Sequence, residues 1–118
     1  KMGIYSLDKI KKIPVQYRTR NFTIRGKGQY EVKEDIKNMV LFKRLNLMRN
    51  EYPFKAKFHI VFLRNVMIYF DPQTRKNIIC RIHKHMEGDS FLFVGHAENL
   101  NPGLPFKNYI KPAVYKRV

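Results

Sequence analysis

The run Phe58-His59-Ile60-Val61-Phe62-Leu63 is apolar apart from His59, and it stops on Arg64-Asn65. Strands buried on both faces are nearly continuous in apolar residues rather than alternating. The run is therefore expected to be a central strand of a parallel sheet. Open α/β sheets bind ligands outside the carboxyl ends of their strands. Polar residues placed directly after such a run, here Arg64 and Asn65, mark a candidate site.

A strand–helix–strand unit follows. Asp71-Pro72 supplies an N-cap and then a proline at the first helical position. Ile78, Ile79, Ile82 and Met86 lie along one stripe, with Lys84 and His85 near the C-terminus, where positive charge is favourable. Gly88 suits the stop. Phe91-Leu92-Phe93-Val94 predicts a second buried strand closing on Gly95-His96, joined to the first by a right-handed parallel crossover. Upstream, Val40, Leu41, Phe42 and Leu45 predict another strand, ending at Asn46. Parallel strands ending at Asn46, Leu63 and Val94 would gather Asn46, Arg64-Asn65 and Gly95-His96 on one carboxyl edge, a ligand crevice.

The rest of the chain is read more briefly. Ser6 to Ile13 (SLDKIKKI) predicts a short helix capped by Ser6 and ended by Pro14, with Leu7, Ile10 and Ile13 on one face. Phe22 and Ile24, then Tyr30 and Val32, alternate with polar neighbours around Arg25-Gly26-Lys27-Gly28, a β-hairpin pattern. Lys33 to Met39 suits one or two helical turns, and Asn50 to Lys57 is a polar connector. After the turn-rich stretch Asn101 to Pro105, Phe106 to Ile110 and Ala113 to Val118 predict a final pair of strands.

The 118 residues suffice for one small domain with a core, and 44% of them are hydrophobic. Lys and Arg total 24 against 9 Asp and Glu, a formal charge of +15. That excess favours anionic partners such as nucleic acid, acidic protein surfaces or anionic lipid, or else is simply a solvated basic surface. The single cysteine, Cys80, cannot form an internal disulfide, which fits a reducing cytoplasm. No apolar run approaches the roughly 20 residues that span a bilayer, and KMGIYS is not expected to be a signal peptide.

Several chemistries find little support. Gly26-Lys27-Gly28 lacks a third glycine and sits in a hairpin, so it is read as a turn rather than a phosphate cradle. His83 and His85 point to different helix faces, and with His59, His96 and Cys80 they show no zinc spacing. A Ser/His/Asp set would lack the usual G-x-S-x-G elbow. His96-Ala97-Glu98, in the crevice loop, suits either a ligand or local hydrogen bonds.

Leu63-Arg64-Asn65-Val66-Met67-Ile68-Tyr69-Phe70 resembles the CRNVLIYF signature of the CheR-type chemotaxis receptor methyltransferases. Gly95-His96-Ala97-Glu98-Asn99-Leu100 resembles their GHSE-x-L segment, and Val40-x-Phe42 followed by Asn46-Leu47 their V-x-F-x-x-x-N-L segment. Met2-Gly3-Ile4-Tyr5-Ser6 looks like their G-x-Y-S stretch, and Ala113-Val114-Tyr115 like their closing strand. These segments recur in order over nearly the whole chain. Departures are Leu63 for the usual Cys, Ala97 for the usual Ser, and Met86-Glu87-Gly88-Asp89 for a K-P-G-G turn.

The resemblance implies an α/β fold, the C-terminal part of a Rossmann-like S-adenosylmethionine-dependent methyltransferase sheet, with a small antiparallel β-hairpin subdomain at 17–36. It implies methylation of glutamate side chains on chemoreceptor cytoplasmic helices, with S-adenosylhomocysteine as product. By carry-over, Asn46 and Leu47 would contact the adenine end of the cofactor, Arg64 and Asn65 would lie along it beside the methyl group, and Tyr69 would face the transfer site. The subdomain would be the part that in some members docks a receptor-tail peptide. The family's helical N-terminal domain and glycine-containing cofactor loop are expected upstream of this chain, as are two strands that would separate the Val40 strand from the Phe58 strand. The chain alone is then expected to be inactive, to bind cofactor weakly and to pair or swap its open edges with a second copy.

Two other readings of the charge stand beside this one. Arg18, Arg20, Arg25 and Lys27 could make the hairpin a basic module for an acidic peptide. Tyr17, Phe22 and Tyr30 among basic residues could stack on nucleic-acid bases, which a steep salt dependence of DNA affinity would reveal.

Overall fold

The computed structural model describes residues 2–108 and 111–118, arranged as two compact units, Lys1–Arg44 and Leu45–Val118. The first is a three-stranded antiparallel sheet with short helices. Strand β1 (Ile4–Ser6) is followed by helices α1 (Leu7–Ile10) and α2 (Val15–Asn21), strands β2 (Phe22–Ile24) and β3 (Gln29–Val32), and helix α3 (Glu34–Asn38). The sheet order is β1-β3-β2.

The hairpin forms where the glycines predict it. Arg25 N–H donates to the Gln29 carbonyl at 2.9 Å, and Gly26, Lys27 and Gly28 all take positive φ. On the central strand, Glu31 accepts from Arg25 at 2.6 Å and from Lys37 at 2.7 Å. Lys37 above all, with Arg25, holds the Glu31 carboxyl below its ordinary range. Segment 17–36 lies within this unit, but the third strand β1 and the helix α2 were not legible as such. Helix α1 is shorter than the predicted Ser6–Ile13. Ser6 occupies the N-cap position without a side-chain cap bond, and Ile10 is the residue α1 buries.

The second unit holds β4 (Phe58–Leu63), a 3₁₀ turn (Met67–Tyr69), α4 (Pro72–Lys84), β5 (Met86–Val94), β6 (Phe106–Asn108) and β7 (Val114–Arg117). The sheet order is β4-β5-β7-β6: β4 and β5 are parallel, and the other neighbours are antiparallel. Asp71 caps α4, accepting from Thr74 N–H at 3.0 Å, and Pro72 starts it. The helical stripe is Ile78, Ile79 and Ile82, buried with Leu63, Met67, Leu92, Val94 and Tyr115; Met86, read as its last member, is also buried but belongs to β5. Fully burying such an aliphatic side chain contributes about 1.5–3 kcal/mol, so this cluster fastens α4 to the sheet. The last two strands form an antiparallel pair, and the end of the predicted 106–110 strand, residues 109 and 110, lies outside the described residues.

Three expectations are corrected. Residues 40–46 form no strand, and Leu41 is 77% exposed. Strand β4 is not central: among the described residues it is an edge with β5 as its one neighbour, so Ile60 and Phe62 are exposed and only Leu63 is buried. Gly88 does not stop the helix. Helix α4 ends at Lys84, where His85 N–H donates to the Ile82 carbonyl, and the chain turns directly into β5, of which Gly88 is part. The register shifts there to absorb the excess length, because Phe58 pairs with Met86 while Ile60 pairs with Phe91.

Candidate functional site

The parallel register fixes the site. Leu63 pairs with Val94, so the residues that follow each strand, Arg64-Asn65 and Gly95-His96, emerge at the same carboxyl edge. Asn65 takes φ 56°, a left-handed conformation that asparagine adopts more readily than most residues. The chain then makes the 3₁₀ turn, with Met67 buried beneath it and Tyr69 79% exposed on top. Arg75 of α4 holds the far end, donating from Nε to the Phe70 carbonyl at 2.7 Å.

A buried carboxylate organises this edge. Glu98 is 5% exposed. Its Oε2 accepts from Gly95 N–H at 2.7 Å and Asn65 N–H at 2.9 Å, and its Oε1 accepts from Ile68 N–H at 3.2 Å. Burial raises the Glu98 pKa, but the backbone N–H groups of Gly95, Asn65, Ile68 and Met67 lower it by more, and the net shift is downward. Gly95 is required for the approach: a methyl group there would collide with the Asn65 side-chain oxygen and lie 2.7 Å from Glu98 Oε2. Of the two readings of His96-Ala97-Glu98, Glu98 makes local hydrogen bonds. Its signal in the sequence was an acidic residue just after a buried strand in a chain poor in acids.

The residues singled out from the sequence fall in two places. Arg64, Asn65 and Tyr69 are exposed on the pinned loop. Asn46 and Leu47 lie in a turn, not at a strand end: Asn46 Oδ1 accepts from Met48 N–H at 2.9 Å, and the Leu47 carbonyl accepts from the Tyr52 hydroxyl at 2.9 Å. Leu47 also lines an apolar groove of about 320 Å³ with Leu45, Tyr52, Phe54, Ile82 and the apolar residues of β4. Arg64, Asn65 and Tyr69 do not line that groove. Among the described residues no group of three or more His, Cys, Asp or Glu is placed to hold a metal, and no helix is long and apolar enough to cross a membrane.

Two parallel strands joined by a helix, with exposed polar residues at their shared carboxyl edge, define an α/β domain of the ligand-binding class. The chain belongs to the CheR methyltransferase family: the family's S-adenosylmethionine-binding domain, described as "CheR methyltransferase, SAM binding domain", matches residues 1–113. S-adenosylmethionine is accordingly the cofactor of this domain. Similar proteins include a chemotaxis protein methyltransferase of Borreliella burgdorferi, 41% identical over 98% of this chain and 40% of the relative. Another, from Salmonella typhimurium, is 38% identical over 84% of this chain and 35% of the relative. A third, chemotaxis protein methyltransferase Cher2 of Pseudomonas putida, is 44% identical over 73% of this chain and 30% of the relative. The chain thus spans 40% or less of the length of these curated relatives.

Proposed function

We propose that this chain forms part of a cytoplasmic protein-glutamate O-methyltransferase acting on the cytoplasmic helices of chemoreceptors. The observation that carries the reading is the Leu63–Val94 register, which sets Arg64-Asn65 beside Gly95 at one carboxyl edge. The donor set suits the cofactor. Asn46 and Asn65 offer amide groups to a nucleoside and an amino-acid tail, Leu47 offers an apolar contact to a base, and Arg64 offers a guanidinium to carboxylates. The bound cofactor supplies an electrophilic methyl group.

The protein's own part is alignment. A glutamate carboxylate is already ionised near neutral pH, so no general base is needed. Arg64 holds a carboxylate through two parallel hydrogen bonds. The exposed Tyr69 hydroxyl orients a carboxylate oxygen and, with Ile68, covers the reacting groups against water. On its own the 118-residue chain binds cofactor weakly, because Arg64, Asn65 and Tyr69 lie on open surface and do not line the groove beside Leu47. The test is transfer of radiolabel from S-adenosylmethionine to chemoreceptor-bearing membranes by the intact protein that carries this chain. Alkali-labile label in the receptor band supports the reading, and its absence removes it.

A second reading concerns the unit Lys1–Arg44. An open groove of about 280 Å³ is lined by Val15, Arg18, Thr19, Phe22, Ile24 and Tyr30, and Arg18 Nε is buried there without a hydrogen-bond partner. That arrangement favours docking of an acidic or receptor-tail peptide. Loss of binding of a labelled receptor C-terminal peptide on Arg18→Ala would support it; no binding by the unaltered protein would end it.

A further inference from the structure

We propose that Glu98 is a positioning residue: its carboxylate clamps the backbone of the Arg64–Tyr69 loop to the end of β5 and so sets where the cofactor-side and transfer-side groups stand. The inference rests on the methyltransferase reading and deepens it, because Glu98 touches neither reactant.

The geometry is that of a two-ended clamp. Oε2 takes the amides of Gly95 and Asn65, which tie the ends of β5 and β4 together, and Oε1 reaches on to Ile68, next to Tyr69. One buried anion thus fixes both halves of the loop, Asn65 on the cofactor side and Ile68-Tyr69 on the transfer side. Charge-assisted hydrogen bonds of this kind are roughly twice as strong as neutral ones. The downward pKa shift agrees that the anion is the form held. The loop has few other fixings: Met67 is buried below it and Arg75 holds the Phe70 carbonyl, while Arg64, Ile68 and Tyr69 are exposed. A neutral isostere cannot replace the anion. In Glu98→Gln, an NH2 group must face either the paired Gly95 and Asn65 donors or the Ile68 donor.

The test uses the intact protein that carries this chain, with calorimetric binding of S-adenosylhomocysteine and methyl-transfer kinetics, both well below the thermal transition. Misplacing an aligning group by about 1 Å costs on the order of 100-fold in rate, so Glu98→Gln should raise Kd about tenfold and lower kcat about tenfold or more. Amide exchange at Asn65, Gly95 and Ile68 should quicken. Glu98→Asp keeps the charge but is shorter by one methylene, and it should fall between wild type and Gln; it also serves if the Gln variant does not fold. Ser90→Ala is the control for lost stability alone. Ser90 is 1% exposed and donates to the Glu87 carbonyl, at the opposite end of β5; its variant should melt earlier with Kd and kcat unchanged. A Gln or Asp variant that only melts earlier, or a Ser90 variant that loses binding equally, overturns the clamp. Unaltered protein that binds no S-adenosylhomocysteine sinks the methyltransferase reading and the clamp together, whereas normal binding in wild type and Gln alike sinks the clamp alone.

Discussion

Leu63 and Val94 are parallel partners, the last residues of β4 and β5 respectively, and everything proposed for the carboxyl edge follows from that alignment. Because the two strands finish level, the residues after them meet, and Glu98 can reach both.

Arg64→Ala in the intact protein should reduce methyl transfer by more than about 100-fold, since a bidentate charged hydrogen-bond pair is lost from the aligned complex. Label-transfer assays at saturating cofactor would show it.

Asn46→Ala should weaken cofactor binding by roughly fivefold, the worth of about one net hydrogen bond. Part of the change will come from the turn, because Asn46 Oδ1 accepts from Met48 N–H. Calorimetry with S-adenosylhomocysteine measures it.

Tyr69→Phe should lower kcat by about tenfold and leave cofactor Kd unchanged, if the hydroxyl aligns groups only in the transition state. Unchanged turnover would make Tyr69 an exposed aromatic with no part in transfer.

Gly95→Ala should destabilise the unit by about 1–3 kcal/mol. The added methyl meets the Asn65 side-chain oxygen, which can turn aside, and Glu98 Oε2, which cannot withdraw without breaking the clamp. Denaturant unfolding would register the loss.

The pH dependence has a named source in His83. Arg117 Nε lies 3.0 Å from His83 Nε2, so that nitrogen is the acceptor; the Val118 carbonyl at 3.4 Å from it is then a contact, not a hydrogen bond. Burial first, and the Arg117 charge with it, lower the His83 pKa. A histidine depressed on folding contributes stability that is present above its unfolded pKa of about 6.5 and is lost as pH falls through the lower folded value. Stability should therefore drop as pH falls below about 6.5 in the unaltered chain, and His83→Gln should flatten that part of the curve. Melting temperatures across a pH series decide it.

Much of the Leu45–Val118 unit was legible because local and tertiary signals agreed. Asp71-Pro72 started α4 and the Ile78-Ile79-Ile82 stripe aimed it at the sheet. Val40 to Leu45 failed because a short apolar run does not by itself specify strand pairing: the segment is irregular, and Val40, Leu41 and Phe42 are exposed. The apolar run of β4 alone reads as a central strand, whereas the family resemblance left that strand with an open edge, as observed. Strand β1 was missed because three residues give no readable alternation, and its existence depends on pairing with β3. Within the site, Arg64 and Asn65 were singled out because they follow a strand end directly, and Tyr69 only through the family resemblance. Glu98 acts through backbone amides, which leave no mark in side-chain spacing.

The mismatch between β4 and β5 at Phe58–Ile60 and Met86–Phe91 has its own consequence. The register shift between the two strands is confined to their amino ends, where Gly88 has open space around it and Asp89 takes a positive φ. Residues could be gained or lost there and the slack would be taken up locally, while the opposite rim, with its paired strand ends, kept its alignment. Evolution of such a domain can thus vary helix length at one pole without retuning the chemistry at the other.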